Sequence, residues 1–582
     1  ILNIRKGGVN LKSFKIKSLM TLALAGMLVL SGCGGGQEAA APEQATEKAD
    51  LTTQTVDIHK AEDPSKNPQQ ALDRKDTIVV GMTEFSGKFM EQFRQSIYDM
   101  YVNQMIFEQL VEVDDEGKPV DEGIATWTVE NDNKYIFKLK DGIKFSDGTD
   151  VKAEDVEFSY LLLADPNYDG DSDMSKYGFV GFDDYKNGSA TSIEGIKVID
   201  DKTIEFTLEE PNAEVIYFFT NGIVPKAYYG ANYTKGDLSS VKALLTKPMG
   251  SGPYKMVEYK EGQSVTFTAN EHYWKGQPAV KNVIFTVTAK STAMQSFLGG
   301  QTDIEMMDVS IENVEQLKAA GFVDLHRFPT NGYGYLGMNN ALPKFSDKRV
   351  RQALAYALNR KDVVEAIYGP FGNVLNVPQS RVAWSYSEEG INEYGYDMEK
   401  AAALLDEAGW TMGDDGFRYK DGEKFEIFFT GMADHPVLDI MLPVMIESYK
   451  QLGIDLKVEY VDFPTLTEKT NNFSAEMWFM AWGLTPDPGD SSNVYRTGGP
   501  QNKYNYANPK VDELFIQGSK ETDFEKRKAI YAEIYKILND ELPCIIVYQR
   551  SDMWAANSRL EGFHVTPYKE FTKNLWKVTI KE

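Results

Sequence analysis

A basic stretch from Arg5 to Lys17 runs into twelve largely apolar residues, Leu19 to Leu30, and no later stretch is long enough to cross a bilayer. A membrane-spanning helix needs about 20 apolar residues, so the run at 19–30 is too short to span. It reads as the core of a signal peptide, residues 1–32, removed from the working protein. The chain beyond residue 32 must bury its apolar groups in its own cores. A single hydrophobic core stops growing near 250–300 residues, and the remaining chain is far longer, so two lobes or more are expected. Only Cys33 and Cys544 occur, which leaves no disulfide framework to stiffen an exported chain. Cys544, in the apolar run Pro543 to Tyr548, is expected as a small buried hydrophobe.

The tetrad Leu30-Ser31-Gly32-Cys33 with the glycines behind it resembles a lipobox, which implies a lipidated Cys33 holding the body to the outer face of the cytoplasmic membrane. Residues 33–75 are mostly Gly, Ala, Glu, Gln, Thr, Lys and Pro without periodicity, and read as a disordered tether. Net charge is −26 at pH 7, and five of the positive charges precede Cys33 and leave with the signal. Nucleic acid and anionic lipid surfaces both demand basic patches. Neither is expected as a partner.

Local periodicity predicts the first folded elements. Asp76 to Met82 is a short apolar run suited to a buried strand. Tyr135, Phe137 and Leu139 alternate with Lys134, Ile136, Lys138 and Lys140, the pattern of a half-buried strand. Asp141-Gly142 then turns, Ile143 to Ser146 repeats the alternation, and Ala153 to Leu163 carries Val156, Tyr160 and Leu163 at helical spacing. Ser346 is positioned to cap a helix over 347–360, and further helices are predicted over 398–408, ending at Gly409, and over 524–539. Helices alternating with apolar strands specify an α/β architecture.

Familiar catalytic signatures are missing. His59, His272, His326, His435 and His564 are scattered, with no pair at i, i+3 or i+4, so no zinc or di-iron pattern is present. Neither a Gly-x-Ser-x-Gly elbow nor a P-loop occurs. The run Asp165-Pro-Asn167-Tyr-Asp169-Gly170-Asp171 imitates the first half of a calcium loop, but Lys176 occupies the place of the bidentate glutamate. A solvated turn is the expected reading, with weak calcium binding as the minority one. No cofactor, no metal and no enzymatic activity are expected.

The segment from Tyr135 through Asp141-Gly142, Phe145-Ser-Asp-Gly148 and Ala153-Glu-Asp-Val156 to Tyr160 resembles the signature of the extracytoplasmic family 5 solute-binding proteins, which serve ABC importers. Ile106-Phe107-Glu108, Ile223-Val224-Pro225-Lys226, Gly250-Ser251-Gly252-Pro253-Tyr254, Gly300-Gln301-Thr302-Asp303 and Ala481-Trp482-Gly483 agree in order with that family. The resemblance implies a two-lobed periplasmic-binding-protein fold (type II, cluster C) with an extra subdomain in lobe one. Its implied boundaries are lobe one at 76–103, 221–330 and 546–582, the subdomain at 104–220, and lobe two at 331–545. It implies a monomeric receptor that captures oligopeptides and delivers them to a membrane permease. Alternatives are a nickel chelate, an opine or an oligosaccharide in the same fold, and more remotely a cell-wall enzyme or a structural adhesin.

In peptide-binding relatives the ligand backbone pairs as an added strand. On this chain that places candidate contacts at Phe85 and Ser86 in lobe one and at Trp482, Gly483, Leu484 and Thr485 in lobe two. Many such relatives carry an aspartate where Thr485 stands, to pair with the ligand's α-amino group. Asp487 and Asp490 are therefore the candidate replacements, with Asp487 between two prolines also readable as a loop former. Tyr333, Tyr335 and Asn339 complete the candidate set. Arg496 reads as a surface residue.

Overall fold

The computed structural model describes residues 57–433 and 435–581, all within one compact unit that spans residues 49–582. Cys33 and the signal segment lie outside the described residues. Among those residues thirteen strands join one mixed sheet. Its main path runs through Asp455–Val461, Glu426–Met432, Met477–Gly483, Gly332–Met338, Cys544–Asn557, Ile304–Met307, Thr77–Met82, Asn282–Val287, Ser264–Ala269 and Tyr254–Lys260.

One strand explains the two-lobed form. Cys544–Asn557 is fourteen residues long, and its first half pairs with Gly332–Met338 while its second half pairs with Val323–Pro329 and Ile304–Met307. At the changeover stand Gln549 and Arg550 on one segment and Thr330 and Asn331 on the other. These two crossings join separate hydrophobic cores. One gathers Ile78, Val80, Phe267, Phe285, Trp554 and Phe571; the other gathers Leu336, Leu354, Phe429, Met441 and Ile545.

A third core belongs to a four-stranded sheet in which Ala125–Glu130, Lys134–Leu139, Thr203–Thr207 and Ile196–Asp200 lie side by side in that order. Tyr135, Phe137 and Leu139 are buried on its inner face, as the alternation requires. The helix Ala153–Leu163 covers it and buries Val156, Tyr160 and Leu163.

Several family landmarks are structural in origin. Gly252 sits so close to the end of a helix that a Cβ would meet the Ile106 carbonyl carbon at 2.6 Å, so only glycine fits there. Asp303 is fully buried. It accepts from Arg74 Nη2 at 2.7 Å, Arg559 Nε at 2.8 Å and the Val79 amide at 2.9 Å, tying three distant stretches of chain together. Cys544 is buried, and burial pushes its thiol up to about 12.

Three local expectations need correction. Residues 57–75 do not belong to a disordered tether: Asp57–His59 pairs antiparallel with Val323–Pro329, and Asp324 accepts from the Ala61 amide at 2.8 Å and pairs with Lys60. A sheet edge recruits backbone groups and so needs no apolar side chains. Ile143–Ser146 is not a strand; Ile143 and Phe145 are buried, but pairing is reduced to a single bridge, Lys144 to Asp150. The helix after Ser346 starts at Lys348 because Asp347 caps it, accepting from the Arg349 amide. It stops at Tyr356, and Asn359 caps a second helix, Arg360–Tyr368. The acidic loop at 165–176 is held by the chain at 233–242: Asp165 accepts from Tyr233 and the Gly236 amide, and Asp169 pairs with Lys242.

Candidate functional site

The crossings form the floor of a cavity of about 380 Å³ between the two cores, within the usual range for small-ligand pockets. Ile97, Tyr101, Met306, Trp554 and Glu570 line it on the side of the first core. Tyr333, Ala481, Trp482, Gly483 and Tyr548 line it beyond the crossings, Tyr333 and Trp482 from a cluster they share with Tyr335 and Tyr504. Beside it is a smaller cavity of about 30 Å³, lined by Tyr333, Gln379, Trp482, Leu484, Thr485, Asp487 and Asp490 among others.

The strand Met477–Gly483 brings the second core to the cavity. Along its whole length it pairs on one side with Gly332–Met338, and on the other it pairs with Glu426–Met432 only at Met477 and Trp478. Its last residues thus carry one satisfied edge and one open edge. Ala481 and Gly483 are exposed at this end, where the strand enters the cavity wall. Trp482 packs one face on Tyr335, with ring planes 4° apart and centroids at 6.1 Å, and donates from Nε1 to the Tyr504 hydroxyl at 3.2 Å. Its remaining surface lines both cavities. Leu484 and Thr485 lie just past the strand: the Leu484 amide donates to the Asn331 carbonyl at 3.0 Å, and Thr485 Oγ1 donates to the Asp487 carbonyl.

The other candidates divide sharply. Tyr333 lines both cavities, with its hydroxyl 3.0 Å from that of Tyr495. Tyr335 is buried behind Trp482, and Asn339 is buried away from the cavities, donating to the Phe473 carbonyl and accepting from Asn505. Arg496 lines neither cavity. Phe85 and Ser86 line neither cavity. Phe85 belongs to the first core, and Ser86 is drawn to buried Asp99, which accepts from both its amide and its hydroxyl. No strand forms there.

Asp487 also needs correction as an amine clamp. It faces the smaller cavity but is buried, and Arg527 meets it bidentately, Nη1 to Oδ2 at 2.5 Å and Nη2 to Oδ1 at 2.7 Å. Its Oδ1 also caps the turn at Gly489. The charge of a carboxylate so engaged is already compensated by the guanidinium, which leaves it little attraction for an ammonium. Asp490 is less committed: its side chain is 41 % exposed, 3.9 Å from Lys176 Nζ, and it accepts from Asn493 Nδ2 at 3.3 Å.

Around Asp487 the segment 210–217, which packs on the third core, touches the chain at 384 and 519–520. The Ala213 amide donates to the Ser519 carbonyl at 2.7 Å, Trp384 Nε1 donates to the Tyr217 hydroxyl at 3.2 Å, and Lys520 pairs with Glu210. Burial, then the nearby Asp487 charge, pushes the Glu214 carboxyl up to about 7.

Residues 119–505 match the family model of the bacterial extracellular solute-binding proteins, family 5, middle region. The chain belongs to this family. Solute binding for transport is the family's role. The chain is 28 % identical over 452 residues to the oligopeptide-binding protein AppA of Bacillus subtilis, covering 75 % of this chain and 79 % of AppA. It is 25 % identical over 576 residues to heme-binding protein A of Haemophilus influenzae, covering 95 % of this chain and 97 % of that protein. The solved structure of the substrate-binding protein CtaP from Listeria monocytogenes superposes with a TM-score of 0.75 at 22 % identity, over 88 % of this chain and all of CtaP. That likeness fixes the fold as that of two-lobed binding proteins.

Sequence reasoning missed Tyr101, Met306, Arg550, Asp552, Trp554 and Glu570. Arg550, Asp552 and Trp554 follow directly from the long strand: residues two apart share a face, and here that face is the cavity floor. The apolar run after Pro543 stops at Tyr548, short of all three, so it gave no signal of them. Glu570 precedes a four-residue helix, Phe571–Asn574, and carried none.

Proposed function

We propose that this family 5 protein is the peptide receptor of an ABC importer, tethered through lipidated Cys33 to the outer face of the cytoplasmic membrane and working as a monomer. Lobe one (76–103, 221–330, 546–582) and lobe two (331–545) close on the ligand, with 104–220 as the subdomain, and the loaded receptor presents it to the permease. One observation carries the peptide reading: the open edge of Met477–Gly483 at the cavity wall. Unpaired amides and carbonyls on a strand edge accept any extended backbone as an added strand, which gives affinity independent of side-chain identity. Exposed Ala481 and Gly483 leave that edge accessible.

A melting-temperature screen tests it. A ligand at a hundred times its dissociation constant stabilises by about 2.7 kcal/mol, which shifts melting by roughly 5–10 °C in domains of this size. Peptide pools are expected to give that shift. A shift with sugars, nickel chelates or haem, and none with peptides, overturns the reading.

A further inference from the structure

Three charged side chains line the larger cavity: Arg550, Asp552 and Glu570. Arg550 Nη1 lies 3.0 Å from Asp552 Oδ1, so these two largely compensate each other. Glu570 has no such partner among the described residues. The groups acting on it are the Tyr101 hydroxyl and the Asp552 carboxylate, neither of them cationic. Although it stands at the N-cap of the helix Phe571–Asn574, its side chain makes no capping bond. Aromatic rings fill the surrounding wall. Tyr101 and Trp554 pack edge to face with centroids 6.1 Å apart, and both pack on Phe571, at 5.2 and 4.8 Å. Trp482, Tyr333 and Tyr548 line the opposite side.

A cavity lined by aromatic side chains and one carboxylate without a cationic partner is complementary to a cation, which gains a charge-assisted hydrogen bond to the carboxylate and, beside the rings, cation–π attraction. An apolar guest leaves the carboxylate desolvated without a partner. Resting on the peptide reading above, we infer that the cavity selects peptides whose side chains carry an ammonium or guanidinium group, that cation seated against Glu570 beside Tyr101 and Trp554. Backbone pairing at Ala481–Gly483 supplies affinity common to all peptides, and Glu570 supplies the preference among them.

The burial of Glu570, with the Asp552 charge adding to it, pushes its carboxyl up to about 7 in the empty cavity. An arriving cation relieves that cost.

Calorimetric titration with two matched tripeptides, Ala-Lys-Ala and Ala-norleucine-Ala, both N-acetylated, tests the inference on the wild-type protein. The lysine peptide is expected to bind at least tenfold tighter. Glu570→Gln is expected to bring its affinity down to that of the norleucine peptide while leaving the latter within twofold. Equal wild-type affinities overturn the inference and leave the peptide reading intact, as does an equal loss for both peptides in the variant. No binding of either one, together with no response to free-amine peptide pools, overturns both. The wild-type comparison stands even where the variant does not fold.

Discussion

Two carboxylates of this chain illustrate how neighbours decide a role. Asp487 is adjacent in sequence to the site yet belongs to a buried bidentate pair with Arg527, and removing one partner of such a pair leaves an uncompensated buried charge at a cost of about 3–5 kcal/mol. Asp487→Asn is therefore expected to lower the melting temperature markedly while the folded protein keeps its peptide affinity within twofold. Retained stability with lost affinity, in a paired melting and titration experiment, contradicts this assignment. Glu570 is far from the recognisable motifs and, among the described residues, free of cationic partners. Its carboxyl stands near 7 in the empty protein, facing Tyr101 and Asp552, with Arg550 and Asp308 acting in turn on Asp552. Cation binding favours the ionised form, so affinity for a lysine peptide is level above pH 7 and falls as pH drops below it, by up to about tenfold per unit. Titrations between pH 5.5 and 8.5 read this directly; a flat profile in the wild type, or the same slope in Glu570→Gln, contradicts it.

At the scale of elements, what the sequence makes legible is what local periodicity dictates. The strand Lys134–Leu139 and the helix Ala153–Leu163 are readable because their buried faces are written in consecutive residues. Where competing local bonds decide, reading fails: Asp347 rather than Ser346 caps the helix at Lys348, since Ser346 closes the preceding turn Pro343–Ser346 and donates its hydroxyl to the Pro343 carbonyl. Pairings across long separations are equally hidden. Nothing near Asp57 announces its partnership with Arg327, nor does anything near Asp487 announce Arg527, forty residues away. The candidate site is half legible for the same reason: Trp482 and Gly483 lie in a motif, whereas Tyr101, Asp552 and Glu570, on a helix, a strand and a loop, meet only in the folded chain. The strand Met477–Gly483 permits a clean test. A Cβ on Gly483 meets nothing within 4 Å, so Gly483→Leu adds its side chain at an open place in the cavity wall without crowding the fold. Melting temperature is expected to stay within about 2 °C, while peptide affinity falls at least tenfold. A variant that binds as tightly as wild type shows that the strand edge is not where the ligand lies.

For the whole molecule, the two crossings at Thr330–Asn331 and Gln549–Arg550 are short links between separate cores, the arrangement that permits hinge closure. The contacts Ala213 to Ser519, Tyr217 to Trp384 and Glu210 to Lys520 join distant parts of the chain away from the cavity, and closure on a ligand is expected to depend on them. Contacts present only in the closed state add to apparent affinity by raising its population. Lys520→Glu, which sets like charges face to face, is expected to weaken peptide binding by roughly threefold, mainly through faster release. Stopped-flow dissociation reads that change, and an unaltered release rate contradicts it. The central claim, that a peptide is held as an added strand in the interlobe cavity, is tested most directly by amide hydrogen exchange with and without a saturating peptide. The account predicts new protection concentrated at Ala481–Gly483, with the Thr330–Asn331 and Gln549–Arg550 crossings slowed by closure. Protection that leaves Ala481–Gly483 exchanging at its unliganded rate contradicts it.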